Sequence, residues 1–459
     1  MRPWLLLGLL QLSVAGFGCI GAQEDDGLDG AAGGDAGSGG GPVGSGGGPV
    51  GSGGGPVGSG GDPSGTGGGT TSAGTASTGS ATTSAGTTVS AGTTTSAGTS
   101  MTSSSTATGG GSACADEDAC PFDGGVEIAC RLRFMYGVNY AWRDFGADFS
   151  GQRQWSQAGV SGKRDQVLAD LRDMRAHGVD VVRWWIYPRF QGEAVTFDGQ
   201  GDPTGLGGTS KQDLLAALEL ADQAEVNVMF TLFSFDGFYK TTHNPPTGLS
   251  VASMGPIVAD PARRAKLIEN VVRPIAQTVA SSPHRDRMIA WDVINEPEWA
   301  MTGPSLYGGD PPFEGDASKF DLVTHAQMEA LAKESAAVLR EETGAPVSVG
   351  SAAIKWGQAW THADVDFYQV HMYGWVNEYF PYTKPLSEYG LTDKPVVMGE
   401  FPINMDGMKV TYDTFVSDLY DMRYAGALSW SVTDRNFPWS SHKAAVKAFA
   451  DRYPCETRY

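Results

Sequence analysis

Eight short apolar segments, each about the length of a strand, recur between residues 134 and 431 and most limit how this chain can fold. They lie at 134–140, 179–186, 226–233, 288–295, 347–351, 367–373, 395–400 and 427–431. Most are rich in Val, Phe, Trp or Tyr, as strands buried on both faces should be. Helical patterns separate several of them. In 164–177, Val167, Leu168, Leu171 and Met174 share one face, and Gly178 supplies the stop. Asp260-Pro261 caps and opens a second helix that continues through Leu267, Ile268 and Val271. The stretches 321–342 and 412–423 read similarly, whereas the connections after the fifth and sixth segments are less clearly helical. Eight strands alternating with helices predict an α/β chain with a (β/α)8 TIM barrel; an open doubly wound sheet is the alternative. No Gly-x-Gly-x-x-Gly or phosphate-loop sequence follows an early strand, which weakens the nucleotide-binding version of that sheet.

The barrel segments occupy only part of the chain. Residues 1–19 combine Arg2, an apolar run from Trp4 to Leu12 and small residues leading to Cys19, the pattern of an export signal. Gly16-Phe-Gly-Cys19 is similar to a bacterial lipobox, with Gly16 where leucine is usual; simple secretion is the alternative to lipidation. Residues 20–112 are a low-complexity linker in which a Gly-Ser-Gly-Gly-Gly-Pro-Val repeat gives way to Thr-Ser-Ala-Gly-Thr. Side chains this small cannot bury enough surface to offset chain entropy, so a disordered tether is expected, with a typical reach of about 50 Å. The barrel domain is then 113–459.

Half of the formal net charge of −20 falls in the first 130 residues, and the remainder leaves the barrel acidic. That balance argues against nucleic acid or an anionic polymer as partner and fits a neutral ligand. With Cys19 assigned to an anchor, Cys114, Cys120, Cys130 and Cys455 remain, an even number in an exported chain. Of three possible pairings, Cys114–Cys120 with Cys130–Cys455 is the one expected here, because a closed barrel brings its first strand beside its last helix. No Cys-x-x-Cys or His-x-x-x-His spacing supports a metal site, and no cofactor is expected.

The chemistry lies in two of the segments. The run from Trp291 through Asn295-Glu296 to Pro297, and the run from Pro395 through Gly399-Glu400 to Phe401, each bury an apolar strand and deliver a glutamate at its C-terminal end, where a barrel keeps its active site. Both carboxylates are expected to emerge in the open. Two carboxylates on separate strand ends are the parts of a retaining glycosidase, one proton donor and one nucleophile, about 5–5.5 Å apart. Arg183, His371, Tyr373 and Trp430 also fall at or near strand ends.

On these residues the stretch from about 131 to 455 resembles the clan A glycoside hydrolases, and within them family 5, the cellulase and mannanase family. The resemblance implies that Glu296 is the acid/base, that Asn295 contacts the sugar 2-hydroxyl, and that Glu400 is the nucleophile. It implies too that Arg183, His371, Tyr373 and Trp430 surround the pair. Physical roles follow. Glu296 has to hold a proton near neutral pH, which burial or a negative neighbour favours; Arg183 and Tyr373 favour an ionised Glu400. Trp430 offers a flat face to a pyranose. Trp142, Trp185, Phe235, Trp299, Trp356, Trp360, Trp375 and Trp439 fall in or near top-face loops, some to stack on sugar and others to seal loops. One departure stands out: the third segment runs into Phe233-Ser-Phe-Asp236 without the histidine that many family members carry there.

The expectation is an exported monomer, a lipid-anchored surface protein or a secreted one, touching membrane only through Cys19. It is expected to be a retaining endo-β-glycanase acting on a neutral β-1,4-linked polysaccharide or oligosaccharide, mannan or glucan. A non-catalytic carbohydrate-binding barrel and a transglycosylase with the same carboxylate pair are the alternatives.

Overall fold

The computed structural model describes residues 120–191, 193–244 and 249–459. The expected export signal, Cys19 and the linker lie outside these. Eight parallel strands close into a barrel: β1 (Met135–Asn139), β2 (Val181–Trp185), β3 (Asn227–Ser234), β4 (Met288–Asn295), β5 (Val347–Ser351), β6 (Tyr368–His371), β7 (Val396–Glu400) and β8 (Gly426–Trp430). Closure is made by β8 on β1, with Trp430 in register with Asn139. All eight fall on the apolar segments read from the sequence, and the open-sheet alternative is excluded.

Helices cover the outside, and their ends follow local chemistry. The Arg164–Ala176 helix buries Val167, Leu171 and Met174. Asp260 accepts from the backbone N–H groups of Ala262 and Arg263, opening the Pro261–Leu267 helix. The helix expected from 321 starts later, at His325, because Thr324 and Gln327 form a reciprocal capping box and the preceding residues pair as a short strand. After β5 and β6 the connections are a 3-10 segment, Ile354–Trp360, and a short helix, Gly374–Tyr379, in keeping with the faint periodicity there.

Side chains alternate in and out along each strand, so the barrel interior is built in layers. The layer nearest the N-terminal end is apolar: Met135, Val181, Met229, Ala290, Val397 and Leu428 belong to one buried cluster. A hairpin, Val126–Ile128 with Arg131–Arg133, and the C-terminal Tyr459 close that end; the Tyr459 hydroxyl donates to the Val126 carbonyl at 3.0 Å. One layer up, the interior turns polar, with Arg183, Thr231, Asp292 and Gln369 all buried. Two glycines make the room. A Cβ at Gly399 would lie 2.2 Å from Gln369 Cγ, and one at Gly350 would lie 2.6 Å from Gln369 Nε2.

The disulfide expectation is corrected. Cys455 pairs with Cys120, at a Cα–Cα distance of 5.8 Å, and not with Cys130. Cys130, itself disulfide-bonded, sits with Ala129 in the tight turn of the hairpin, where both take positive φ. The hairpin carries Cys130 away and returns Cys120 to the C-terminal segment, where Arg133 donates to the carbonyls of both Cys120 and Arg458. Such a crosslink belongs to an oxidising, extracytoplasmic compartment. Among the described residues no helix is long and apolar enough to cross a membrane.

Candidate active site

Strand β4 delivers Asn295 to the barrel mouth, and the chain then turns sharply. Glu296 takes a left-handed backbone conformation, φ 48°, which costs a non-glycine residue of order 1 kcal/mol or more. Neighbours hold it there. The Glu296 N–H donates to the Gly350 carbonyl at 2.6 Å, and Pro297 starts the short 3-10 turn Pro297–Ala300. Glu298, inside that turn, accepts from Ser351 Oγ (2.7 Å), Trp360 Nε1 (2.7 Å) and the Ala352 N–H (2.9 Å), tying the turn to the end of β5. Burial pushes the Glu298 carboxyl up to about 7, although its three donors favour the ionised form. The sequence reading passed over Glu298; its signal was a second acid directly behind Asn-Glu-Pro.

Opposite Glu296, β7 ends on Glu400. Carboxylate oxygens of the two residues and a ring nitrogen of His371 all lie within 4.8 Å of one another. That is near the separation of a retaining pair and well short of the roughly 6.5–9.5 Å of an inverting one. The Tyr373 hydroxyl donates to Glu400 Oε1 at 2.6 Å, and Arg183 Nη1 lies 3.4 Å from Oε2. His371 Nδ1 is 2.8 Å from Glu296 Oε1, and the indole N–H of Trp299 donates to Glu296 Oε2 at 2.8 Å. Burial pushes the His371 imidazole down to about 4 despite the Glu400 charge nearby, so the ring is neutral at neutral pH. The same three residues have the spacing of a metal cluster, but a cation there would face the Arg183 guanidinium beside Glu400.

Arg183 is fully buried and organises the layer beneath the carboxylates. It donates to Asp292 Oδ2 through Nη2 (2.6 Å) and Nε (3.0 Å), to Asn139 Oδ1 (2.8 Å) and to Asn295 Oδ1 (2.8 Å). With its oxygen so occupied, Asn295 points its Nδ2 into the site, buried and without a protein partner. Asp292, Asn139 and Gln369 were not singled out in the sequence. An aspartate inside an apolar strand was the available signal, since a buried acid requires a partner.

Two expectations about exposure are corrected. Glu296 is 2 % exposed and Glu400 0 %, so neither carboxylate stands open; Trp299, His371, Tyr373 and Arg183 lie against them. Trp430 is also buried, packed against Trp142 and Trp185 at ring distances of 5.4 and 5.6 Å, and its indole donates to Asp434. The two ring contacts are at interplanar angles of 65° and 43°. The remaining aromatics sort by burial. Trp185, Phe235, Trp356, Trp360 and Trp439 are buried, while Trp142, Trp299 and Trp375 are partly exposed. Where the third-strand histidine is missing, Asp236 is buried two residues beyond β3 and accepts from Ser234 Oγ at 2.6 Å. Burial, with the Glu296 charge adding, pushes the Asp236 carboxyl up to about 6.

No family model matches the chain. A mannan endo-1,4-beta-mannosidase of Mytilus edulis is 27 % identical over 350 residues, covering 70 % of this chain and 88 % of that protein. One of Cryptopygus antarcticus is 25 % identical over 336 residues, covering 65 % and 80 %. Among solved structures, the beta-1,4-mannanase of the sea hare Aplysia kurodai superimposes with a TM-score of 0.58 at 22 % identity, covering 72 % of this chain and 95 % of that one, a likeness of fold. Closed barrel, paired carboxylates and homologous sequences together make this chain a glycoside hydrolase that resembles clan A and, within it, family 5.

Proposed function

We propose that the protein is a retaining endo-β-1,4-mannanase in which Glu296 is the acid/base and Glu400 the nucleophile. The observation that carries this reading is the close pair of carboxylates with unlike surroundings. Glu400 faces a guanidinium and a phenol, groups that favour an anion. Glu296 faces a neutral imidazole and an indole.

In the first step Glu400 attacks the anomeric carbon while Glu296 gives its proton to the leaving glycosidic oxygen. The C–O bond breaks, and a glycosyl ester forms on Glu400. Glu296, now anionic, takes a proton from water as that water attacks the same carbon, and Glu400 leaves as carboxylate. The unpartnered Asn295 Nδ2 supplies a donor for the sugar 2-hydroxyl, a bond that strengthens as positive charge develops on the ring. Arg183 holds Asn295 and Glu400 in mutual register and lies 5.5 Å over the ring of Trp185, which packs with Trp142 and Trp430.

Mannan is favoured over glucan by the names of both relatives. Residues 20–112 act as a tether on this reading, and Cys19 as a lipid anchor. Reducing-sugar release from galactomannan, carboxymethylcellulose, xylan and laminarin in parallel tests the substrate. Galactomannan should be cleaved fastest, with Glu296→Gln and Glu400→Gln each lowering turnover by several orders of magnitude. Near-native turnover in both variants would end the reading. Transfer of glycosyl units to added oligosaccharide in preference to water would redirect it to a transglycosylase.

A further inference from the structure

We infer that Trp299 is a positioning residue for the acid/base: its indole N–H holds Glu296 Oε2 in the orientation from which the proton is delivered to the leaving glycosidic oxygen. This deepens the proposed function and rests on the role given there to Glu296.

The geometry assigns the two oxygens of Glu296 different tasks. Oε1 is engaged by His371 Nδ1 on the floor of the site, where both groups are buried. Oε2 turns toward the mouth, and there the Trp299 indole meets it at 2.8 Å. Trp299 is partly exposed and follows the acid/base by three residues in the same turn. Because Glu296 is only 2 % exposed, the groups that contact its two oxygens set its orientation. Trp299 contacts it on the Oε2 side. Its ring lies against Trp356 (5.8 Å) and the partly exposed Trp375 (5.9 Å), and Lys355 Nζ sits 3.9 Å over Trp356. These ring contacts fix the orientation of the indole.

The bond also bears on proton transfer. An N–H donor stabilises the anion of Glu296 over its acid form. It eases release of the proton in the first step, and it steadies the base that activates water in the second. Charged or titratable groups facing Glu296 include His371, Glu400 and, from beyond the end of β3, Asp236. None of them is altered by a change at Trp299.

Trp299→Phe keeps the ring and deletes the donor. Compared with the parent, its alkaline limb in kcat/KM should move up by about one pH unit, the shift expected for losing one charge-assisted hydrogen bond. Its kcat/KM on mannotetraose should fall about tenfold, a fraction of what general acid catalysis supplies. Its kcat/KM on a dinitrophenyl β-mannobioside, which reports a first step whose leaving group needs no proton, should fall much less. Equal losses on both substrates with an unmoved alkaline limb would overturn the inference.

A second readout needs no turnover. In the intact protein, the indole proton resonance of Trp299, assigned by its loss in Trp299→Phe or by segmental labelling, should titrate with pH and stop titrating in Glu296→Gln. A resonance indifferent to both would overturn the contact itself. A parent enzyme inactive on both substrates would sink the proposed function, and the resonance would still decide the hydrogen bond.

Discussion

Asp292→Asn tests whether the buried polar layer holds the catalytic pair in place. Asp292 Oδ2 accepts from Arg183 Nη2 (2.6 Å) and Nε (3.0 Å), Thr231 Oγ1 (3.0 Å) and Gln369 Nε2 (3.3 Å), and Oδ1 accepts from the Gly350 N–H (2.9 Å). Every contact is an acceptor's. An amide of the same shape keeps one acceptor and turns two N–H donors on groups that are themselves donors, whichever way it is rotated. It also strips Arg183, which is fully buried, of its closest anion. Removing one partner of a buried pair costs about 3–5 kcal/mol. With an unfolding entropy of about 2.1 cal/mol/K per residue over roughly 340 residues, that corresponds to a drop in Tm of about 4–7 °C. Activity should fall further than stability. The freed guanidinium is drawn to Glu400, now 3.4 Å away, and loosens its hold on Asn139 and Asn295, weakening the nucleophile and misplacing the 2-hydroxyl donor. A loss of at least about 100-fold in kcat/KM is expected, equivalent to roughly 2.7 kcal/mol of transition-state stabilisation. Calorimetry and initial rates on galactomannan measure both. A variant within 1 °C of the parent Tm and within threefold in kcat/KM, both approximate thresholds, would refute the reasoning.

Other consequences follow from the same geometry. His371 is held down at about 4, chiefly by burial, so between pH 6.5 and 4 the unfolded chain binds this proton and the native one does not; stability is lost as pH falls through that window. Urea unfolding should show His371→Asn losing roughly 3 kcal/mol less than the parent between pH 7 and 4, and equal losses would contradict it. Glu298 has the opposite sign. With its carboxyl up at about 7, the native state keeps a proton that the unfolded chain gives up above about 4.5, and stability is lost as pH rises between the two values. Glu298→Gln should flatten that decline, and an unchanged slope would place the Glu298 proton elsewhere. Replacing both Cys120 and Cys455 by Ser opens a closure spanning 335 residues and should cost about 5 kcal/mol by chain entropy; a change in Tm under about 2 °C would show that the C-terminal segment is held by packing alone.

The barrel was legible because strands buried on both faces must be apolar, and all eight end within two residues of where the apolar run ends. Glu296 and Glu400 stood out for the same reason, as acids directly after such runs. What the sequence concealed depends on closure of the barrel. Asp292 and Gln369 become neighbours only when β4 and β6 curve round a shared interior, and Gly350 and Gly399 admit them by lacking side chains. Trp299 was visible as one aromatic among eight, but its bond to Glu296 depends on the left-handed turn at that glutamate, which no local preference announces. The disulfide went to the wrong partner because the hairpin ahead of β1, two strands of three residues each, is too short to register as a pattern. Burial of the carboxylates escaped notice because strand ends fix where a side chain begins and not what folds over it.

The central claim is that Glu400 forms a covalent bond to sugar while Glu296 handles the proton. Treating the enzyme with a 2-deoxy-2-fluoro-β-mannosyl fluoride, which slows breakdown of such an ester, and mapping the modified peptide by mass spectrometry tests it most directly. The account predicts one fluorosugar on the peptide containing Glu400. A label on any other residue, or inactivation with no label, would contradict it.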